Sequence, residues 1–432
     1  MTAFTFSRIS PGALITHRWA ERLLLLPAGA FLVVGARALE RSEAGAPPDI
    51  WQMVTIFCVA FLLAHLAVTL LTPNADQVLL PITAMLSAIG LLFVARLEPD
   101  FVAKQVSWYG IGIAVMIGVL VFLPDPRALR SYKYIAASAG LALMVVTAVV
   151  GQEINGSRLW LGVGGFNFQV TEAMKLLLVI FLAGYLADRR LILGSVTRRW
   201  RAVRVPTLPY LIPLGVIWVL TFLVLIWQRD LGAVLLLGGV TLLLLYAATN
   251  RIGFIVIGVA LVILNVFVAY HQFDYVRVRI DVWLHPLSDA TGGGYQLAQS
   301  LYALAHGGML GAGLGSGFPE YIPAVHTDFV FAAVAEELGV AGAIGLIALY
   351  LLFAARGLRI ALLQLNDFGT LLALGLTGIL ALQSIIIIAG NLSLIPITGI
   401  TMPFVSYGGS SILVNFVMLA ILMRLSAMAP RT

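Results

Sequence analysis

The sequence has little charge. Asp, Glu, Lys and Arg make up 11% of its 432 residues, and hydrophobic residues make up 61%. Soluble domains run at roughly 25% charged. An ordinary soluble protein is excluded in favour of an integral membrane protein. The alternating segments of a barrel, about ten residues each, are also missing. The apolar runs are long enough for helices instead. There is one cysteine, Cys58, which excludes an intrachain disulfide and a cysteine-based metal site. No small-residue cleavage pattern follows the short basic N-terminal region and the apolar run from Leu23. A retained first helix is therefore expected rather than a signal peptide.

What is present is a series of apolar runs. Twelve spans are expected, at 22–38, 51–72, 78–97, 107–124, 133–151, 170–187, 207–227, 230–248, 252–271, 330–355, 367–389 and 403–424. The first and sixth are short. The net charge of +6 rests mostly on arginines grouped in particular loops, a pattern that reports topology and not nucleic-acid binding. With the N-terminus inside, 17 of the 26 Lys and Arg fall on the inner side and eight on the outer, with Lys175 inside a span. Both termini are thus expected in the cytoplasm. The six arginines between 188 and 206 anchor that side, near anionic lipid.

Four unusual segments then fall on the outer face: 152–169, 227–230, 272–329 and 390–402. Segment 272–329 is too long for a simple connector. Within it, Tyr295–His306 has helical apolar spacing and is expected to lie in the membrane interface. The glycine-rich run 307–317 follows. No strand precedes it, so it is not a dinucleotide loop; it is either flexible or tightly folded.

The stretch Tyr321–Glu337 carries three carboxylates. Asp328 stands between a polar loop and an apolar run. It reads as a helix N-cap, as a general base or cation ligand at the outer face, or as both. Glu336 and Glu337 follow eight and nine residues on. On one continuous helix they would lie ~12 Å below Asp328, as buried structural carboxylates tying helices together. Glu172 and Lys175, at i and i+3, can pair, either as a structural ion pair or as the charged floor of an outward cavity. Arg158, Arg277 and Arg279 run against the positive-inside trend. They could hold an anionic, phosphate-bearing ligand, or instead meet lipid headgroups or nearby acids such as Asp274 and Asp281. Gly408, Gly409, Ser410 and Ser411 permit close helix packing or a groove for a lipid chain.

Seven stretches resemble, in order, the SEDS family, the FtsW/RodA/SpoVE group of cell-wall polymerases. They are NGSRLWLG (155–162), FQVTEAMKL (168–176), QRDLG (228–232), YQLAQS (295–300), GLGSG (313–317), HTDFVFAAVAEELG (326–339) and PITGITMPFVSYGGSS (396–411). The resemblance covers about 78–425. Where the family usually reads Gln-Pro-Ser-Glu, this chain has Gln169-Val170-Thr171-Glu172. Where it reads Gln-Pro-Asp, this chain has Gln228-Arg229-Asp230.

The resemblance implies an all-α membrane protein with ten core transmembrane helices in 78–432, and a long extracellular loop, 272–329, between the seventh and eighth. An extension, 1–77, adds two helices and leans toward the RodA-like, elongation branch, although division remains open. The implied activity is a peptidoglycan glycosyltransferase that polymerises lipid II, with undecaprenyl-pyrophosphate-linked glycan as donor and a class B penicillin-binding protein as partner. The place is the outer face of the bacterial cytoplasmic membrane, among its lipids. The family's essential aspartate maps onto Asp328, and its buried Glu/Lys pair onto Glu172 and Lys175. Within the matched motifs and the outer segments, Arg158, Trp160, Asp230, Arg277, Arg279, Gln296, Gln299, His326, Thr327, Ser406 and Ser410 are expected to bind or support the substrate. A divalent cation, Mg or Mn, could help the pyrophosphate leave. The competing classes are a flippase for lipid-linked precursors, which intramembrane charges would suit, and a non-catalytic scaffold.

Overall fold

The structure, a computed structural model, describes residues 18–430 apart from 155–156, 164–165, 196, 201–202 and 207–211. Asn155 and Gly156 of the first motif, Arg8, Arg201, Arg431 and the start of span 207–227 lie outside the described residues.

Helices dominate, as the runs require. They are α1 (Trp19–Arg41), α2 (Ile50–Leu71), α3 (Leu79–Leu97), α4 (Val102–Phe122), α5 (Lys133–Val150), α6 (Val170–Ser195), α7 (Ile212–Trp227), α8 (Leu231–Thr249) and α9 (Ile252–Gln272). After them come α10 (Asp274–Leu284), α11 (Tyr295–Gly307), α12 (Val330–Leu362), α13 (Asp367–Asn391) and α14 (Gly409–Met428). Among the described residues eleven helices are long and apolar enough to cross a membrane, and α7 is a shorter apolar helix of 16 residues. The first and sixth spans are not short: α1 has 23 residues and α6 has 26.

The bundle has two distinct ends. At one, Lys133 and Arg130 grip Asp188 at 2.6 and 2.7 Å, Arg190 pairs with Asp367, and Arg356 Nε donates to Asp76 at 2.9 Å. We call this the arginine-rich end. Asp328 lies at the other. There segment 152–169 forms an antiparallel sheet of β1 (Gln152–Ile154), β2 (Ser157–Val163) and β3 (Phe166–Gln169), with Trp160 opposite Gln169. Strands were not expected in this all-α chain. The sheet is a local fold of one connector and leaves the bundle unchanged. A second hairpin, β4 (Thr197–Trp200) with β5 (Val203–Pro206), lies in the basic connector.

Helix α3 is almost wholly buried, whereas α9 buries no residue. Helices α1 and α2 pack on the core through α3 and α4. Arg18 fastens them. Fully buried, it pairs with Glu21 and donates to the carbonyls of Ala75 at 2.8 Å and Pro73 at 3.1 Å. Glu21 also meets His65 of α2 at 2.5 Å.

Two expectations for 272–339 need correcting. The long loop holds a helix that was not expected, α10, beside α11, which falls where helical spacing is read at Tyr295–His306. Helix α11 packs on α12 and keeps Tyr302 and His306 exposed. It buries Leu297, Ala298, Ser300 and Ala303, and its Gly307 abuts the backbone of Ala335 and Glu336.

The second correction concerns α12, which is not one rod. Gly339, at φ 70° and ψ −173°, breaks it into Val330–Leu338 and a long second part. The break exposes helical backbone groups that need partners. The glycine-rich loop supplies them. Ala312 N donates to Glu336 O at 2.9 Å and Gly313 N to Glu337 O at 3.1 Å, while Val340 N donates to Gly308 O at 2.9 Å. Backbone meets backbone so closely that a Cβ on Gly339 would stand 2.3 Å from Gly311 N. The loop is therefore the tightly folded one of the two alternatives.

The first part of α12 runs across the bundle. Its Ala332 N is held by Asn391 Oδ1, at the end of α13. Its Glu337 is held at 2.9 Å by Arg96, at the end of α3. Glu336 and Glu337 therefore do not hang two turns below Asp328. They lie at the same end, where Arg96 also meets the exposed Glu320 at 3.0 Å. Glu336 accepts from Phe318 N at 3.0 Å and faces His306 at 3.0 Å. Both carboxylates have structural partners.

Candidate functional site

The chain around Asp328 is fixed by its backbone. Ala324 takes a left-handed conformation, φ 53°, and opens a single helical turn, Val325–Asp328. Three successive carbonyls of that turn are then occupied. Tyr407 N donates to His326 O at 2.9 Å, Ser406 Oγ donates to Thr327 O, and Asn391 Nδ2 donates to Asp328 O at 2.9 Å. Phe329, wholly buried, nails down the next position. The Asp328 carboxyl caps no helix: α12 begins at Val330, after Phe329, without a side-chain cap. The N-cap alternative is therefore removed, and the carboxyl is free for other work.

That carboxyl lines a cavity of about 150 Å³. Val278, Arg279, Val282 and Trp283 of α10 form one wall, a single helical face. Gln296 and Leu297 of α11 form a second, and Ile397 and Gly399 a third. Trp283 is held by its Nε1, which donates to Ser393 O at 2.9 Å. Gln296 Nε2 donates to Pro323 O at 2.7 Å. Among the described residues Arg279 has one hydrogen bond, a long one of 3.4 Å to Ile397 O. Burial pushes the Asp328 carboxyl up from 3.8 to about 6, against the opposing pull of Thr327 and Arg279. It is ionised at neutral pH and far more basic than a free aspartate, which suits a proton acceptor. A larger cavity, about 560 Å³, lies at the arginine-rich end, remote from this carboxyl. Its aspartate, Asp76, is neutralised by Arg356.

The other expected residues are placed as follows. Arg279 and Gln296 share the cavity with Asp328. Arg158 does not: exposed on β2, it pairs with Glu153 at 3.2 Å. Arg277, also exposed, pairs with Asp274 at 3.4 Å. For these two the nearby-acid alternative is the one seen. Trp160 and Gln299 are half-buried and do not line the cavity. His326 stands edge-on to Phe101 and Tyr407 and lies 3.5 Å from Glu98; burial lowers its pKa. Thr327 Oγ1 donates to Ala324 O at 3.0 Å. Ser406 accepts from Met402 N at 2.8 Å, and Ser410 from Gln169 N at 2.9 Å, so both shape the 396–411 loop and its sheet.

Glu172 and Lys175 pair at 2.5 Å, both buried, away from the cavity wall. Lys175 also donates to Gln383 at 2.8 Å. Asp230 accepts from Ala233 N at 2.9 Å as the N-cap of α8, and from Thr171 Oγ1 at 3.2 Å. It is a strut between α6 and α8. Among the described residues no group of three or more His, Cys, Asp or Glu could hold a metal ion. In the cavity Asp328 is the one carboxylate, so a cation there would need the ligand's own oxygens.

Sequence reasoning missed Trp283, Asn391, Arg96 and Gln383. Asn391 and Gln383 carried a usable signal, since each is a polar side chain inside an apolar run.

Comparison with known proteins bears on what this geometry is for. The family model for cell cycle proteins of the FtsW/RodA/SpoVE type matches residues 77–430. The peptidoglycan glycosyltransferase RodA of Mycobacterium tuberculosis H37Rv is 39% identical over 434 residues, 96% of this chain and 92% of that one. Stage V sporulation protein E of Bacillus subtilis is 34% identical over 370 residues, 82% of this chain and 97% of that one. A solved chain, from a peptidoglycan synthase complex described as coordinating polymerization and crosslinking, superposes with a TM-score of 0.69. It is 28% identical and covers 82% of this chain and 97% of its own.

Proposed function

The chain belongs to the FtsW/RodA/SpoVE family and is a RodA-like peptidoglycan glycosyltransferase of the membrane, and from that premise we propose that Asp328 is the general base of an inverting transfer onto lipid II. The acceptor is the 4-hydroxyl of lipid II. The donor is a glycan on undecaprenyl pyrophosphate. The hydroxyl oxygen attacks the anomeric carbon and Asp328 takes its proton. The bond to the pyrophosphate breaks on the opposite face, so the anomeric centre inverts. The lipid pyrophosphate carries away the electron pair.

The observation that carries this reading is the cavity itself. It brings one carboxylate of raised basicity together with an arginine, Arg279, whose one hydrogen bond among the described residues is long. Trp283 and Gln296 give the acceptor sugar a flat apolar wall and an amide. General-base catalysis supplies about 10²–10⁴-fold. Stabilising the leaving pyrophosphate must supply much of the rest, and Arg279 is the residue placed for it. Asp328 would be the protein ligand of a Mg or Mn ion, which would supply further positive charge to the leaving group.

The site lies on the extracytoplasmic side of the cytoplasmic membrane, with both termini inside. The arginine-rich end supports that orientation. Residues 78–432 form the enzyme core and 1–77 an extension. A class B penicillin-binding protein is the partner that crosslinks the product, a reading that the likeness to the synthase complex supports. The test is Asp328→Asn in purified, folded protein supplied with lipid II. Turnover at the wild-type rate would sink the assignment.

A further inference from the structure

The Glu172–Lys175 pair and Asp328 sit apart, and neither member of the pair lines the cavity. One side chain joins the two regions. Gln383 is buried in the middle of α13, in the run LALQSIIII. Its Oε1 accepts from Lys175 Nζ at 2.8 Å, and its Nε2 donates to Thr401 O at 2.5 Å. Thr401 belongs to the loop whose Ile397 and Gly399 wall the cavity. That loop touches both reactive groups. Gly399 offers a Cβ position 3.8 Å from Asp328 Oδ2, and Ile397 O accepts from Arg279 at 3.4 Å. Thr401 Oγ1 adds a bond to Ser411 at 2.9 Å, so the loop is pinned from two sides.

The chemistry explains why an amide stands here. A primary amide carries an acceptor and donors on one rigid plane. The ammonium of Lys175 has no acceptor, so it can only engage the amide oxygen. That fixes which way the amide faces and turns its NH₂ toward Thr401 O. An apolar side chain of the same size would remove both bonds, and a carboxylate would keep the first while losing the second.

We propose that Gln383 is a positioning residue of the transfer: it takes its orientation from the Glu172–Lys175 pair and holds the 397–401 segment against Asp328. The inference rests on Asp328 being the base. It gives the buried pair a task that neither a plain structural bridge nor a charged cavity floor describes.

The test is steady-state polymerisation of lipid II by the 432-residue chain in proteoliposomes. Gln383→Met is expected to lower kcat by roughly 10²-fold, the scale of a small misplacement at a reacting centre, with KM little changed. Because Gln383 acts through Asp328, Gln383→Met with Asp328→Asn should be no slower than Asp328→Asn alone. Wild-type kcat in Gln383→Met, or additive losses in the double variant, overturns the proposal. If Gln383→Met does not fold, Gln383→Glu decides: it keeps an acceptor for Lys175, and the same loss of kcat is expected, whereas a wild-type kcat overturns the role. If Asp328→Asn itself turns over normally, the base assignment fails and the positioning role falls with it. That result is distinct from an active Gln383 variant beside a dead Asp328 variant.

Discussion

Replacing Asp328 by asparagine is expected to do two opposite things, slowing turnover and stabilising the fold. Burial moves the carboxyl from 3.8 to about 6. The folded state therefore holds its proton more tightly than the unfolded state does. Stability from such a group is fully present at low pH and is lost as pH rises through about 6. At pH 7.5 the burial of the ionised form costs about 3 kcal/mol, taking 1.36 kcal/mol for each tenfold change in proton affinity. Asparagine has nearly the same shape and no charge, so it removes that cost. The gain should be largest at pH 7.5 and about half as large at pH 5, where much of the folded carboxyl is already protonated. The assay is a thermal melt of the purified protein in one detergent at both pH values, beside a lipid II polymerisation assay. The rate should fall about 10²–10⁴-fold. A lower melting temperature for Asp328→Asn at pH 7.5, or an equal gain at both pH values, would refute the account of a strained, desolvated base.

Three other outcomes are expected. Arg279→Gln should lower kcat about 10–100-fold through lost stabilisation of the leaving group, and Arg279→Lys should recover part of it; equal rates for all three proteins would remove Arg279 from the site. Gly339→Ala should cost about 1–3 kcal/mol through a positive φ, and more through the clash with Gly311, read as poor yield and a lower melting temperature; an unchanged melt would contradict the break in α12. Lys175→Met should destabilise by about 3–5 kcal/mol because it strands a buried carboxylate, and adding Glu172→Gln should restore much of the melting temperature. A double variant worse than the single would show that the two do not act as a pair.

The spans were legible because hydrocarbon thickness sets helix length, and that constraint is written in composition. Asp328 was legible from its place between a polar turn and an apolar run, and from the motif around it. The break at Gly339 was not. Single glycines are common in membrane helices, and the apolar run continues through it. Reading 330–355 as one rod put Glu336 and Glu337 too deep. The arginines show a different limit. Arg277 and Arg279 are two apart on α10, so they face different ways, and only a neighbouring wall tells which one meets the carboxylate. Within segment 272–329, α11 was legible from its apolar spacing, whereas α10 was not, because it has 11 residues and four of them are charged.

The Arg18 clasp has a consequence for assembly. Guanidinium bonds to the carbonyls that precede α3 make α1 and α2 a fixed part of the wall rather than a detachable leader. They turn α3 from a perimeter helix into an interior one. A membrane anchor approaching that flank would meet the exposed apolar faces of α1 and α2, among them Leu26, Val34, Leu62 and Leu70, and not α3. A chain shortened to begin at residue 77 would offer a surface that the intact protein never shows.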